Sequence, residues 1–220
     1  NLDMETAIHW HGLRVENKYD GVPGTTQPPT KPKESLLYRL RFSDPGLYWF
    51  HPHLREDYQQ ELGLYGTILV KPKHDDYYSK VDREDILILD DILLEQGDVY
   101  PFAQNNINNA LMGRFGNTML VNGKTDYELA VNKGDTIRFY ILNAANSRTF
   151  NLSIPGMRLK LIGSDVSSFE KEEFIGSIII SPAERYILEA FFEKDGIFEL
   201  KSINPFKRYT LGRIIVSEKE

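Results

Sequence analysis

Two short stretches of the chain decide its fold and its chemistry: AIHWHGL at residues 7–13 and PGLYWFHPH at residues 45–53. Each contains a His-x-His pair, and side chains at positions i and i+2 of a β-strand point to the same side, about 6.5–7 Å apart. The sequence therefore predicts two strands that each carry two imidazoles on one face. Side by side, these strands would present a patch of four imidazoles, from His9, His11, His51 and His53.

Such a patch is typical of a metal site. Neutral imidazole is a good ligand for copper, zinc, iron or nickel, and two imidazoles on one face can converge on one ion or serve two adjacent ions. The fifth histidine, His74, lies alone in a polar stretch. We expect it to be an ordinary surface residue.

The composition narrows the classes of function that are open to this chain. It has 220 residues, of which 41% are hydrophobic, and a net charge of −6, which argues against non-specific binding to nucleic acid. Cysteine is absent, which excludes disulfides, thiolate nucleophiles and any copper site within the chain that requires a thiolate. No apolar stretch approaches the roughly 18 residues that a membrane-spanning helix needs.

The rest of the chain has the pattern of an all-β protein. Short apolar or alternating runs recur about every ten residues between turn-forming residues, which is typical of a Greek-key sandwich or barrel. Residues 35–41 and residues 136–143 are two of the predicted strands. Helix is scarce in this pattern, and the best candidate is a single turn near residues 55–63.

A polar segment divides the sequence into two expected domains. We place the first at residues 1–72, a linker at residues 73–84 and the second domain at residues 85–217. The first is short for a β-sandwich, and His9 appears before a sheet could be built, so we expect N-terminal strands to be missing. A sandwich that lacks edge strands exposes unpaired backbone, which predicts self-association of the isolated chain.

Three motifs in the first domain occur in a characteristic order. They are His9-Trp10-His11-Gly12, then Asp20-Gly21-Val22-Pro23, then the Gly-x-x-Trp-x-His-x-His run that ends at His53. Together they strongly resemble the N-terminal cupredoxin domain of multicopper oxidases, the laccase-like blue copper enzymes. Residues 85–217 resemble the second cupredoxin-like domain of that family, which carries no metal ligands.

The resemblance implies a role for each site residue. His9 would bind the type 2 copper of a trinuclear cluster, His11 and His51 would share one type 3 copper, and His53 would bind the other. Asp20 matches an acidic residue near the type 2 copper that is implicated in proton supply during reduction of O2. Trp10 should point away from the imidazole face and pack in the core.

The activity that the resemblance implies couples one-electron oxidation of a phenolic, amine or metal-ion donor to reduction of O2 to water. In the family, four of the eight cluster histidines and the cysteine of the type 1 copper come from a C-terminal cupredoxin domain, and none of those elements occurs here. The chain would thus supply half of the cluster ligands and could not complete the cycle alone. The family also implies a periplasmic or extracellular location.

Two other classes of function stay open from the residues themselves. One is a copper-binding protein without oxidase activity, in which the four imidazoles alone hold one or two ions. The other is a single-metal hydrolase or lyase, since His-x-His on a strand also builds zinc sites. In that case Asp20 or Glu61 would serve as the third ligand or as a base.

Overall fold

The computed structural model describes residues 3–104, 106–205 and 207–218, and their contacts divide the chain into two compact units. The first unit is Asn1–His74 and the second is Asp75–Glu220. Among the described residues, no helix has both the length and the apolar character needed to cross a membrane. Strands are the main regular secondary structure of both units, as the spacing of apolar runs predicts.

The first unit is built on a three-stranded antiparallel sheet in the order β1-β2-β3. The central strand β2 is buried along most of its length because Leu47, Tyr48 and Trp49 are covered on both sides of the sheet. A short helix follows β2 within the predicted helical turn. The elements are β1 (Ile8–His11), a 3-10 turn (Asn17–Tyr19), β2 (Gly46–Pro52), α1 (Glu56–Gln59) and β3 (Gly66–Val70).

The strand predicted at residues 35–41 is wrong. The structure shows irregular backbone there, and Leu37 is 73% exposed. The segment lies beside β1 through one side chain: the backbone N–H of Ile8 donates to the Tyr38 hydroxyl at 3.3 Å. The segment therefore contacts β1 through a side-chain hydroxyl and not through a ladder of backbone hydrogen bonds. The alternating sequence pattern does not distinguish these two kinds of contact.

The second unit contains two large sheets and a small hairpin. One sheet has the order β13-β10-β15-β16-β8, the other β12-β11-β14-β9-β4-β7, and β5 pairs with β6. The strands are β4 (Arg83–Ile92), β5 (Leu94–Glu95), β6 (Asp98–Val99), β7 (Thr118–Val121), β8 (Tyr127–Asn132), β9 (Thr136–Asn143), β10 (Phe150–Ser153), β11 (Leu159–Ser164), β12 (Ser167–Ile175), β13 (Ile178–Ile180), β14 (Arg185–Phe191), β15 (Gly196–Ile203) and β16 (Arg208–Ser217).

A single hydrophobic core joins the two large sheets into a sandwich. Strand β8 alternates buried and exposed residues along its whole length, the pattern of a strand with one face on a core and one in water. Strand β9 is different, because seven consecutive residues are buried. Ile137, Phe139 and Ile141 enter the core, while Arg138 and Tyr140 point to the other face.

Several buried arginines of the second unit are paired with carboxylates. Arg138 contacts the carboxylates of Glu189 (2.6 Å) and Glu84 (3.0 Å) and the carbonyl of Ser79. In each contact, an N–H group of the buried Arg138 guanidinium has a protein acceptor in place of water. The network therefore holds β9 against its neighbours.

A second buried pair lies between β4 and the loop after β9. Arg148 donates to Asp91 at 2.6 Å and to the Gly116 carbonyl at 2.7 Å, and the Gly116 N–H donates to Asp91 at 2.6 Å. Burial raises the pKa of the Asp91 carboxyl, and the hydrogen bond and charge of Arg148 oppose that rise.

A helix that sequence reasoning missed, α2 (Asn106–Met112), lies between the hairpin and β7. Ile107, Leu111 and Met112 on it are more than 70% exposed. Three of its seven residues are asparagines, which are weak helix formers, so the sequence gives little indication of a helix.

Candidate metal centre

The pairing of β1 with β2 brings the two His-x-His motifs together. The strands are antiparallel, with His9 directly opposite His51 and His11 opposite Trp49. His51 and His53 alternate with Pro52 as His9 and His11 alternate with Trp10, so all four imidazoles emerge on one face. This register, and not the sequence spacing alone, places the two motifs within reach of a common ligand.

Each of the four imidazoles lies close to at least two of the others. The ring centroid of His9 is 5.6 Å from that of His11, 5.4 Å from that of His51 and 5.4 Å from that of His53. The rings of His11 and His51 are 5.8 Å apart, and those of His51 and His53 are 6.2 Å apart. His9 and His51 therefore each lie beside all three of the other rings.

Three of these histidines already form a compact ligand set. One ring nitrogen each from His9, His11 and His51 lies within 4.8 Å of the other two, a spacing that suits a shared metal ion. His53 lies outside this set. Among the described residues, no other group of three His, Cys, Asp or Glu side chains is placed so closely.

The hydrogen bonds of His9 and His51 leave one nitrogen of each of these two rings available for a metal. Nδ1 of His9 lies 2.8 Å from the Asp20 carbonyl oxygen, and Nδ1 of His51 lies 2.9 Å from the Pro52 carbonyl oxygen. A carbonyl oxygen can only accept, so in a neutral ring Nδ1 carries the hydrogen and Nε2 keeps its lone pair. Nδ1 of His53 faces a carboxylate instead, that of Glu56, at 3.2 Å.

Burial keeps His51 in the state that a ligand requires. It lowers the pKa of His51 to about 4, the positive charges that His9 and His53 can carry act in the same direction, and the bond to the Pro52 carbonyl opposes the shift. His51 is therefore a neutral imidazole near pH 7, which is the metal-binding form.

A close-packed glycine holds Asp20 against His9. Gly21 has φ +80°, and a Cβ there would lie 1.8 Å from the carbonyl oxygen of Ile8. Only glycine allows the loop to lie this close to β1, and the approach brings the Asp20 carbonyl to Nδ1 of His9. The Asp20 carboxylate is 3.5 Å from the same nitrogen. Asp20 thus contacts Nδ1 of His9 and not Nε2, and its backbone carbonyl is closer than its carboxylate.

Two tryptophans line opposite faces of this sheet. Trp49 stacks on His51 with ring centroids 4.3 Å apart, and its ring centroid lies 5.1 Å from that of His11. Trp10 turns to the other face, where it packs against Tyr38 at 5.3 Å and Phe50 at 5.6 Å. These are the two tryptophans of the chain. Trp49 forms an apolar wall that limits the rotation of two imidazoles.

Glu56 and the Pro52 carbonyl are site groups that sequence reasoning missed. Glu56 follows His53 by three residues at the start of α1, a spacing that would have been a usable signal. The Pro52 carbonyl can accept from Nδ1 of His51 only in one rotamer of that ring. Side-chain rotamers cannot be read from the sequence. His74, predicted to be an ordinary surface residue, is exposed, and Glu61, the residue named with Asp20 as a possible third ligand or base, is buried.

Comparison with known proteins gives a consistent result. Two sequence profiles, both described as multicopper oxidase, match residues 1–75 and residues 84–194. A multicopper oxidase from Staphylococcus aureus is 30% identical over 191 residues, which is 84% of this chain and 41% of that protein. A laccase from Arthroderma benhamiae is 31% identical over 207 residues, covering 86% of this chain and 31% of that protein.

Solved structures give the same result for the fold. A multi-copper oxidase from Pseudomonas thermotolerans superposes with a TM-score of 0.87 and 28% sequence identity, covering 99% of this chain and 52% of that one. This likeness confirms the fold predicted from the sequence, all-β with cupredoxin-like domains. The chain spans about a third to two fifths of these curated relatives and about half of this solved structure.

Proposed function

Because this chain belongs to the multicopper oxidase family, we propose that His9, His11, His51 and His53 are copper ligands of a trinuclear type 2 and type 3 cluster. The single observation that carries the proposal is the common face of β1 and β2, on which four imidazole rings lie 5.4–6.2 Å from their neighbours. The proposed activity of the whole protein is oxidation of a small donor coupled to reduction of O2 to water.

The donor set fits copper. Imidazole nitrogen is a favoured copper ligand, and in the rings of His9 and His51 the hydrogen bonds to backbone carbonyls leave Nε2 free. When bound, copper supplies the one-electron steps that link donor oxidation to O2 reduction. The low pKa of His51 suits this use, because no proton has to leave its ring near pH 7 before a metal binds.

The proposed division of ligands follows from the resemblance and is compatible with the ring positions. His9 would hold the type 2 copper, His11 and His51 would share one type 3 copper, and His53 would hold the second. The rings of His11 and His51 lie 5.8 Å apart, which is compatible with a shared copper. The ring of His9 lies closer still to both, at 5.6 and 5.4 Å, so the division itself rests on the resemblance.

The residues around the ligands orient them. The Asp20 carbonyl fixes the ring of His9, the Pro52 carbonyl fixes that of His51, and Trp49 stacks against His51. The Asp20 carboxylate, one third exposed and 3.5 Å from Nδ1 of His9, is placed to pass protons between solvent and the surroundings of the cluster. We propose this as its role in O2 reduction.

The ligands that this chain lacks belong to the proposal as well. With five histidines and no cysteine in the sequence, the other cluster ligands and a type 1 copper would come from a C-terminal cupredoxin domain outside the 220 residues. The donor is a phenol, an aromatic amine or a low-valent metal ion, and the location is the periplasm or the extracellular space. Self-association of the isolated chain is a further part of the proposal.

Copper content of the purified chain tests the proposal directly. We expect one or two copper ions per chain by elemental analysis after anaerobic loading and desalting, and a loss of copper when His11→Ala and His51→Ala are combined. His74→Ala is the matched control and should retain the copper of the unmodified chain. A chain that holds no copper under these conditions would contradict a half-cluster that forms without other ligands.

Oxidase activity needs a separate test on the full-length gene product. Oxygen consumption with a phenol, an aromatic amine and a reduced metal ion should appear only in the copper-loaded protein. If none of these donors drives oxygen consumption while copper remains bound, the chain is a copper-binding protein and not part of an oxidase.

The compact set formed by His9, His11 and His51 favours a second candidate, a site for one metal ion. In that case His53 would not be a ligand, and His53→Ala would leave the metal content unchanged. For the half-cluster we expect His53→Ala to lower it. Parallel loading with zinc shows whether such a site prefers copper.

A further inference from the structure

We propose that Glu56 is the positioning residue of His53, which it holds with Nδ1 protonated and Nε2 turned toward the metal. The inference rests on the proposed copper site, because it assigns the group that prepares the fourth ligand. It concerns a residue of the short helix α1 and not one of the His-x-His motifs.

The contact that carries the inference differs in kind from those of the neighbouring rings. Nδ1 of His53 lies 3.2 Å from Oε1 of Glu56. Nδ1 of His51 faces a backbone carbonyl, and Nδ1 of His9 lies 2.8 Å from the Asp20 carbonyl and 3.5 Å from the Asp20 carboxylate. A carboxylate accepts hydrogen bonds and does not donate them, so the Glu56 contact favours the neutral form of His53 that carries its hydrogen on Nδ1. A carboxylate partner also increases the basicity of the opposite nitrogen, which strengthens its bond to a metal.

The local backbone selects Glu56 over the carboxylate next to it. Arg55, at the residue before α1, has φ 50° and turns its side chain onto Asp57 in a two-pronged contact of 2.8 and 2.9 Å. Both oxygens of Asp57 are therefore engaged by Arg55. Glu56, one position away in the same turn, is the carboxylate left to face the imidazole of His53.

The position of His53 explains why a side-chain partner is needed. It follows Pro52 at the end of β2, its side chain is 36% exposed, and it lies outside the compact set of the other three ligands. An imidazole that is open to water can rotate and can exchange its hydrogen between the two nitrogens. The contact with Glu56, whose side chain is 44% exposed, restricts that freedom before a metal arrives.

The hydrogen position can be measured without any metal. In the metal-free, 15N-labelled chain at about pH 8, long-range 15N–1H spectra distinguish the two neutral forms of each imidazole. We expect His53 to have its hydrogen on Nδ1 in the unmodified chain and to shift toward the Nε2–H form in Glu56→Ala. His9 and His51 serve as internal references and should not change.

Asp57→Asn is the matched control, because it removes the same charge from the same turn. It should leave the His53 tautomer as in the unmodified chain. An Nε2–H form of His53 in the unmodified chain would overturn the inference, and so would a tautomer that Glu56→Ala does not alter.

Copper affinity gives the second readout. Titration with Cu(II), followed by quenching of tryptophan emission near the site, should show about 10–100-fold weaker binding for Glu56→Ala. Asp57→Asn should bind as the unmodified chain does. Equal affinity of Glu56→Ala and the unmodified chain would contradict the positioning role.

The two readouts separate this inference from the proposed function. If the unmodified chain binds no copper but its His53 tautomer depends on Glu56, the positioning role stands and the copper site fails. If copper binds and neither the tautomer nor the affinity depends on Glu56, the copper site stands and the positioning role fails.

Discussion

The two units of this chain use the same strand periodicity for opposite purposes. In β9, Ile137, Phe139 and Ile141 alternate along the strand and fill a hydrophobic core. In β1, His9 and His11 have the same i, i+2 spacing and form part of an imidazole patch. The period of two therefore decides only which side chains share a face. The chemistry of those side chains decides whether the face becomes a core or a ligand surface.

The units also differ in how they satisfy buried polar groups. In the second unit, Arg148 donates to Asp91 and to the Gly116 carbonyl, and its guanidinium packs over the rings of Phe115 and Tyr209. In the first unit, the partner of His51 satisfies one ring nitrogen and leaves the other with a lone pair. A metal site has to leave one ring nitrogen with a lone pair for the metal. In the structural network, the donors of Arg148 are used in hydrogen bonds within the protein.

The largest loss of stability is expected when the buried pair of Arg148 and Asp91 is broken. Arg148→Ala leaves the buried carboxylate of Asp91 unpaired and should lower the free energy of unfolding by about 3–5 kcal/mol. Urea unfolding followed by far-UV circular dichroism measures the change. The control is Arg213→Ala, which breaks an exposed contact with Glu128 and should cost at most about 1 kcal/mol. Equal losses of stability in the two variants would mean that burial does not make the Arg148–Asp91 pair more important for stability than the exposed Arg213–Glu128 pair.

The next effect concerns the loop that carries Asp20. Gly21→Ala places a Cβ against the Ile8 carbonyl at a positive φ and should cost about 3 kcal/mol in the first unit. The control is Gly24→Ala, which has φ +76° but no atom within 4 Å of its added Cβ, and should cost about 1 kcal/mol. Tryptophan emission during urea unfolding reports this unit, since Trp10 and Trp49 both lie in it.

Copper binding should respond to the same glycine pair. Gly21→Ala moves the Asp20 carbonyl away from His9 and is expected to weaken copper binding, while Gly24→Ala is not. If both variants bind copper as the unmodified chain does, the Asp20 loop has no part in orienting His9.

A smaller loss of stability is expected when Trp49, the apolar wall of the site, is replaced. Trp49→Phe keeps an aromatic ring against His51 and removes an indole N–H that has no hydrogen-bond partner among the described residues. We expect a loss of about 1 kcal/mol in stability and unchanged copper content. Quenching of the remaining Trp10 emission by Cu(II) should be weaker than in the unmodified chain, because Trp49 stacks on a proposed ligand. A loss of copper would show that the wall needs the full indole.

The smallest effect is expected at His74, which is exposed and lies outside the compact ligand set. His74→Ala should change stability by less than about 0.5 kcal/mol and leave the copper content unchanged. Elemental analysis beside the ligand variants gives the comparison. A fall in copper content would add a fifth imidazole to the site.

Much of the architecture was accessible from sequence patterns. The recurrence of short apolar runs predicted an all-β fold, and the three motifs of the first unit predicted the multicopper oxidase family; both predictions are confirmed. The strand predicted at residues 35–41 is wrong, because Tyr38 contacts β1 through its hydroxyl and no ladder forms. Helix α2 was missed, since it is short and rich in asparagine, a weak helix former. The domain boundaries and the copper ligands stay predictions.

Residue spacing alone shows which imidazoles share a strand face, because alternation along a strand is a local property of the backbone. That His9 lies opposite His51 follows only from the folded chain, since register depends on where the chain returns after more than thirty residues. The fold also sets which nitrogen of His9 and of His51 keeps its lone pair. The Asp20 carbonyl reaches His9 through the close approach of Gly21 to β1, and Glu56 reaches His53 through the turn that follows β2. These contacts depend on backbone course and side-chain rotamers, which residue spacing does not encode.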